Sequence, residues 1–555
     1  MTQSAIKQSF GRLLALSALA SLPFGTAHAA APGLDGTASP VFNLDATDGT
    51  ISQPDGQSIY SWGYGCAGAA PHFLPNVGAI GTAASCASMQ LPGPTLIVNA
   101  GATVTVTLTN NLPPAAGSTS ILFPGFNVSA KVTAGQTGSC ATAQIGILTT
   151  EAAHGCSVDY TFVADTEGTH AYYSGTQGDL QVEMGMFGAL IVLPKTVPGN
   201  CTVGLAAANL VAEASSRESD FRLAKSAYSH SATCYDREYL FQFSEMDPRI
   251  HQQAADQVLA DGGLCSSAAG CLTIATEPYH PAYFMINGRS MPDDMDPNYA
   301  AQYPHQPYNG NPHMHPGELT LLRIIGQGRW QHPFHEHGNH VRVLARDGNL
   351  VLAPNAITGD PTDLTGAGGA TEHRLAGPLM FTTTTTPGQA MDGIFQWTGK
   401  GLNWDSYAHG YAGDTTPCVP DANGYYTVKA DGTSAAAELN YYEWCADHDK
   451  PLEKHPFGQV GSGGPVTLPD PNILVNGPWY SGSPYLGPDA TGRSVGATPI
   501  PPSGTVANSP TGEAGFAYMW HSHNEREITT NNIFPGGMLM MMLCDPRAYT
   551  IDESN

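Results

Sequence analysis

Short apolar and β-branched runs, each of strand length and bounded by turn residues, recur along this 555-residue chain. They fall at residues 95–98, 103–109, 190–193, 239–243 and 319–325. Heptad repeats are absent, and 63 glycines with 43 prolines supply the breaks between runs. That pattern predicts an all-β protein built from β-sandwiches.

Two passages read as matching first halves of such sandwiches. Pro92-Gly93-Pro94-Thr95, with Gly101, precedes the run at 103–109. Met285-Ile286-Asn287-Gly288, with Pro316-Gly317-Glu318, precedes the run ending at Ile325. The expected organisation is domain 1 at about 40–196, a connector at about 197–234 and domain 2 at about 235–548. Domain 2 is interrupted at about 400–512 by a long insertion rich in Gly, Pro, Ser and Tyr.

Residues 1–29 read as an export signal. Lys7 and Arg12 precede an apolar core, and Ala27-His28-Ala29 supplies a small-x-small cleavage site. Later apolar runs are too short to span a bilayer. Loss of Lys7 and Arg12 would take the formal charge from −25 to −27. Such a surface excludes nucleic acid as a partner and suits solubility, cations or a cationic redox partner. Eleven cysteines with no Cys-x-x-Cys motif point to disulfides in an oxidising compartment, periplasmic or secreted. Nearest-neighbour pairing would leave Cys544 over, although sequence alone does not set connectivity.

Candidate chemistry gathers in two histidine-rich stretches. His332-Pro333-Phe334-His335-Glu336-His337-Gly338 is the first; Trp520-His521-Ser522-His523-Asn524-Glu525 is the second, followed by Gly537-Met538. Alternate residues on a strand share a face, so two His-x-His pairs on neighbouring strands bring four imidazoles together. Imidazole donors without a thiolate suit copper, with zinc the second choice. Glu336 points away from its flanking histidines and is not expected to be a ligand. His313-Met314-His315 is a second, weaker candidate, and His305 could join it.

On these motifs the chain resembles the multicopper oxidases, a family built from cupredoxin β-sandwiches. In the first half the resemblance rests on Leu91-Pro92-Gly93-Pro94-Thr95, Asn110-Asn111-Leu112, Gly168-Thr169, Gln181 and the segment from Gly185 to Val192. The second half contributes the two histidine motifs. The resemblance implies tandem Greek-key sandwiches, copper as the cofactor and metal ligands at His335, His337, His521 and His523. It also puts His332 and Met538 where a type 1 histidine and an axial ligand would lie. Glu525 and Glu527 are the candidate acceptors that would fix histidine tautomers.

Departures from the family pattern limit what the resemblance implies. The domain-1 copper histidines are replaced by Leu122-Phe123-Pro124-Gly125 and Tyr172-Tyr173-Ser174-Gly175. Ser522 stands where the type 1 site has its cysteine, and Glu527 where it has a later histidine. A blue laccase is therefore excluded. The reading that remains is a copper-dependent oxidoreductase with a histidine-rich site in domain 2, fed by a small reductant or a periplasmic redox protein. Its alternatives are a non-catalytic copper-binding or tolerance protein and a metal-free cupredoxin scaffold. An oligomer stays open.

Overall fold

A computed structural model of the chain describes residues 31–68, 72–74, 86–202, 218, 220–353, 373–401, 417–438, 440–448, 482–483, 516–545, 547 and 551. The expected signal at 1–29 and most of the expected insertion at 400–512 lie outside these residues.

The strand Thr103–Asn110 shows how sequence becomes sheet here. Its residues alternate, and Val104, Val106 and Leu108 are fully buried while the intervening threonines face outward. Those threonines zip onto Ser157–Val163: the Thr105 and Thr161 hydroxyls lie 3.2 Å apart, and Thr109 and Ser157 lie 2.9 Å apart.

Four main sheets result. The first pair comprises Gly168–Tyr173, Phe187–Leu193, Leu96–Asn99, Gly33–Asp35 and Phe73–Leu74 in one sheet. Its companion runs Ser58–Cys66, Val41–Ser52, Thr103–Asn110, Ser157–Val163 and Ser129–Val132. Trp62, Tyr64, Leu96, Tyr160 and Tyr172 lie in the core between them.

The second pair has one sheet running Tyr283–Ile286, Arg237–Met246, Leu319–Gly326, Ala390–Gln396 and Val341–Arg346 to Asn349–Leu350. The other runs His313–Met314, Leu539–Cys544, Phe516–Ser522, His332–Glu336 and Thr382–Thr385. Phe241, Phe334, Trp520 and Met540 pack between these two sheets. The architecture is all-β, in two sheet pairs.

Every residue of Arg237–Met246 is buried, because the strand is covered on both faces. One face looks into its own core through Tyr239, Phe241 and Phe243. On the other, Leu240 joins Ile325 and Ala390 against Ile97, Ala171, Ala189 and Ile191 of the first pair. Burial on both faces takes in the polar residues Gln242, Ser244 and Glu245 as well, so the strand has no solvent-facing half.

One helix was not expected. Pro248–Asp261 starts at Asp247, whose side chain accepts from the Arg249 N–H at 3.0 Å, and ends at Gly262 with φ 57°. Its Ile250 and Ala254 pack into the first core. Five disulfides join Cys66–Cys86, Cys140–Cys156, Cys201–Cys234, Cys265–Cys271 and Cys418–Cys445, leaving Cys544 as a buried thiol.

Candidate metal centre

Strand His332–Glu336 lies between Thr382–Thr385 and Phe516–Ser522, antiparallel to both. In that register His335 sits directly opposite His521, while Phe334 opposes Ser522 and Glu336 opposes Trp520. Pleating therefore turns Phe334 and Trp520 into the core and brings His335 and His521 to one outer face.

The four imidazoles meet there. Ring centroids of His335 lie 4.7 Å from His337, 5.6 Å from His521 and 4.9 Å from His523. His337 and His521 approach to 3.0 Å between their Nε2 atoms. His335 and His337 are buried, whereas His523 is exposed at the rim. The Trp520 indole donates to the His337 carbonyl at 2.9 Å, and so pins the end of the motif.

Local partners set the donor atoms. Nδ1 of His521 lies 2.6 Å from the Ser522 carbonyl, which can only accept. That nitrogen carries the proton, so Nε2 of a neutral His521 presents its lone pair toward His337. His335 Nδ1 lies 2.7 Å from the Thr382 hydroxyl. Burial, then the neighbouring His337, His521 and His523, push the His335 pKa down to about 3. Burial also lowers that of His521. Neutral imidazoles are the form that binds a transition metal. The ring set is splayed, however. Among the described residues, His/Cys/Asp/Glu sets with all donor atoms within 4.8 Å of one another include Glu218, His315 and Glu318 but not this quartet.

His332 is engaged differently. Its Nε2 lies 2.9 Å from Glu245 Oε2, and its Nδ1 lies 2.9 Å from Glu527 Oε2 at an angle poor for a hydrogen bond. Burial alone would lower its pKa, but Glu245 and Glu527 outweigh that and hold it at about 9. An imidazolium between two carboxylates has no lone pair for a metal. Glu245 is itself fixed by the N–H groups of Arg329 at 2.6 Å and Trp330 at 2.8 Å. The Ser522 hydroxyl donates to Glu527, whose other oxygen accepts from Asn524 at 2.8 Å. Glu527 thus serves His332 and Ser522 rather than the quartet. Glu525 is exposed, and no described hydrogen bond joins it to a histidine. Met538 is buried in the second core beside Met540 and Met542, and its carbonyl accepts from the Ser522 N–H at 2.9 Å.

Glu336 faces the opposite way from its neighbours. It is fully buried, accepts from Thr383 at 2.8 Å, and burial pushes its pKa up to about 8. His313 and His315 lie apart from the quartet. His313 Nδ1 lies 2.9 Å from Asp545, and His315 Nε2 lies 2.6 Å from Glu218. His305 bonds instead to the Met89 carbonyl at 2.7 Å.

In the first pair, Leu122 and Tyr173 bridge each other's backbones. The Tyr172 hydroxyl donates to Pro94 O at 2.7 Å. Two contributors escaped the sequence reading, Thr382 and Glu245. The second left a signal, an acid two residues beyond the aromatic-rich Tyr239-to-Phe243 run.

Residues 81–197 match the family model described as multicopper oxidase. No curated protein matches the chain. Among solved structures it resembles the multicopper oxidase mgLAC, at 14% identity and TM-score 0.42, covering 91% of this chain and 85% of that one. A blue copper oxidase from Nitrosomonas europaea gives 14% identity and TM-score 0.41 over 90% and 85% of the two chains. A copper nitrite reductase from the same organism gives 16% identity and TM-score 0.35 over 64% and 84%. On the family-model match at residues 81–197, the resemblance to the multicopper oxidases read from the sequence holds.

Proposed function

We propose that this chain is an exported copper-binding protein of the multicopper oxidase type, with a histidine site in domain 2 at about 235–548. His335, His337, His521 and His523 would hold the metal, and the protein would act as a copper-dependent oxidoreductase without a type 1 blue centre. The observation that carries this reading is the meeting of four imidazoles across paired strands, two of them held neutral by burial. A nitrogen-only donor set fits copper, with zinc second. Bound copper would supply one-electron redox chemistry at the outer face of the sheet.

The residues themselves supply the rest. Thr382 and the Ser522 carbonyl orient the rings of His335 and His521. His523, exposed at the rim, faces an arriving small reductant or redox protein. Neither Ser522, committed to Glu527, nor His332, with a carboxylate 2.9 Å from each ring nitrogen, belongs to the proposed ligand set. Met538 is left out as a core residue. The signal-like segment at 1–29 and the five disulfides support export to the periplasm or beyond. Among the described residues no helix is long and apolar enough to cross a membrane.

One observation favours a second reading, a non-catalytic copper-binding protein. Ser522, Glu527, His332 and Glu245 form one buried network, which would leave no type 1 electron entry if Ser522 stands in the place of that site's cysteine.

The test compares copper content in the wild type and a His335→Ala/His337→Ala variant after loading and dialysis. About one tightly held copper per chain, lost in the variant and without intense blue absorption, is the expected result. Equal, negligible copper in both would leave a metal-free scaffold. Turnover with small reductants then separates enzyme from storage protein.

A further inference from the structure

A cavity of about 290 Å³ opens between the two sheet pairs, away from the four histidines. Leu122, Tyr173 and Val182 line it from the first pair; Gln327, Gly328 and Gly388 line it from the second. Among the described residues no acidic or basic side chain is part of its lining, and the Glu245 carboxylate packs behind Gly328. A charged occupant would therefore lie unpaired against an apolar surface, which is costly.

Two polar atoms on the walls have unused capacity. The Tyr173 hydroxyl makes no hydrogen bond to any described residue, and burial raises its pKa, so it stays protonated and able to donate. Its ring rests on Gly388, where an added Cβ would come within 3.1 Å of the phenol oxygen. Gln327 spends its amide N–H groups on Gly188 O at 3.0 Å and Gln242 Oε1 at 3.2 Å. Its Oε1 meets no described donor and remains an acceptor. The side chains of the cavity thus present one free donor and one free acceptor.

The mouth is apolar as well. Leu148, which also lines the cavity, is 65% exposed, and its neighbour Ile147 is 99% exposed. An occupant reaching the mouth would cover part of this apolar surface, which is favourable. Mostly apolar walls, few polar groups and a position between domains are the usual properties of a small-molecule site.

We propose that this cavity binds a small, neutral, largely apolar amide, its carbonyl accepting from Tyr173 and its N–H donating to Gln327. Because both sheet pairs line the site, an occupant would brace one against the other.

The probe is 2-naphthamide, titrated calorimetrically into the wild type and three variants. Tyr173→Phe deletes a hydroxyl that has no protein partner. Gly178→Phe places a ring at the cavity edge, where an added Cβ meets nothing within 4 Å. His335→Ala/His337→Ala leaves the cavity untouched. Saturable one-to-one binding to the wild type is expected, with a rise in melting temperature. Affinity should fall about fivefold in Tyr173→Phe, the effect of one neutral hydrogen bond. It should be lost in Gly178→Phe and unchanged in the double histidine variant. No saturable binding to the wild type overturns the proposal. So does equal affinity in the wild type, Tyr173→Phe and Gly178→Phe.

Discussion

His332 and His335 lie three residues apart on one strand, yet their surroundings drive their protonation in opposite directions. Burial among other imidazoles holds His335 at a pKa of about 3, while Glu245 and Glu527 hold His332 at about 9. The His332 value has a consequence for stability. An unfolded histidine titrates near 6.5, so the ion pairs of His332 contribute fully below that pH and are lost as pH rises through about 9. A shift of this size corresponds to about 3 kcal/mol. Glu183 acts in the same sense: burial raises its pKa to about 8, so the folded state retains a proton that the unfolded chain releases near pH 4.5. His251, buried and lowered to about 4, works the other way, losing stability as pH falls below 6.5. Denaturant midpoints are therefore expected to fall steadily from pH 6.5 to 9. Glu527→Gln should flatten that slope, and an unchanged slope would remove Glu527 from the account. The alternation that brings His335 beside His521 was legible in the sequence, because a period of two is local. The Glu245 clamp was not, since its acceptor lies 87 residues from His332.

At the scale of elements, apolar runs mark the strands clearly, but the helix Pro248–Asp261 shows where that signal stops. Its faces do not form a strong apolar stripe; only Ile250, His251 and Ala254 are buried. What defines it is punctuation, with Asp247 as cap, Pro248 in the first turn and Gly262 in the left-handed region after the last. Those signals are present in the chain, but they are punctuation without an apolar period between them. The Asp247 carboxylate accepts from the N–H of Arg249 at 3.0 Å and of His280 at 2.8 Å, tying the helix start to the segment before strand Tyr283–Ile286. Asp247→Ala is accordingly expected to cost about 2 kcal/mol, the upper end for a cap. Urea unfolding would measure this, and a loss below a few tenths would mean that the cap is satisfied by solvent. Residues 332–336 contrast with this helix: neighbouring strands on both sides dictate their register, so the histidine face depends on tertiary pairing rather than on caps.

Across the whole molecule, the two sheet pairs meet on an apolar seam with one buried charged knot. Ile97, Ala171, Ala189 and Ile191 face Leu240, Ile325 and Ala390. Beside them Asp392 accepts from Thr169 through both N–H at 3.1 Å and hydroxyl at 2.6 Å, and from the Tyr228 hydroxyl. Arg323 donates to Glu238 at 2.8 Å and to Thr169 Oγ1 at 3.1 Å, and its guanidinium lies 3.8 Å from Asp392. Three stretches distant in sequence thus converge on one carboxylate. No local pattern could have announced it, although Asp392 stands out as an acid on the buried strand Ala390–Gln396. Asp392→Ala removes the acceptor while leaving Tyr228, Thr169 and Arg323 buried. Stranding buried partners is the costly way to break such a contact, so a loss of about 3 kcal/mol is expected. Because the apolar seam persists, the two sheet pairs should still unfold in one calorimetric transition, shifted to lower temperature. Two separate transitions in the variant would instead mean that the Asp392 knot, not the apolar seam, couples the pairs.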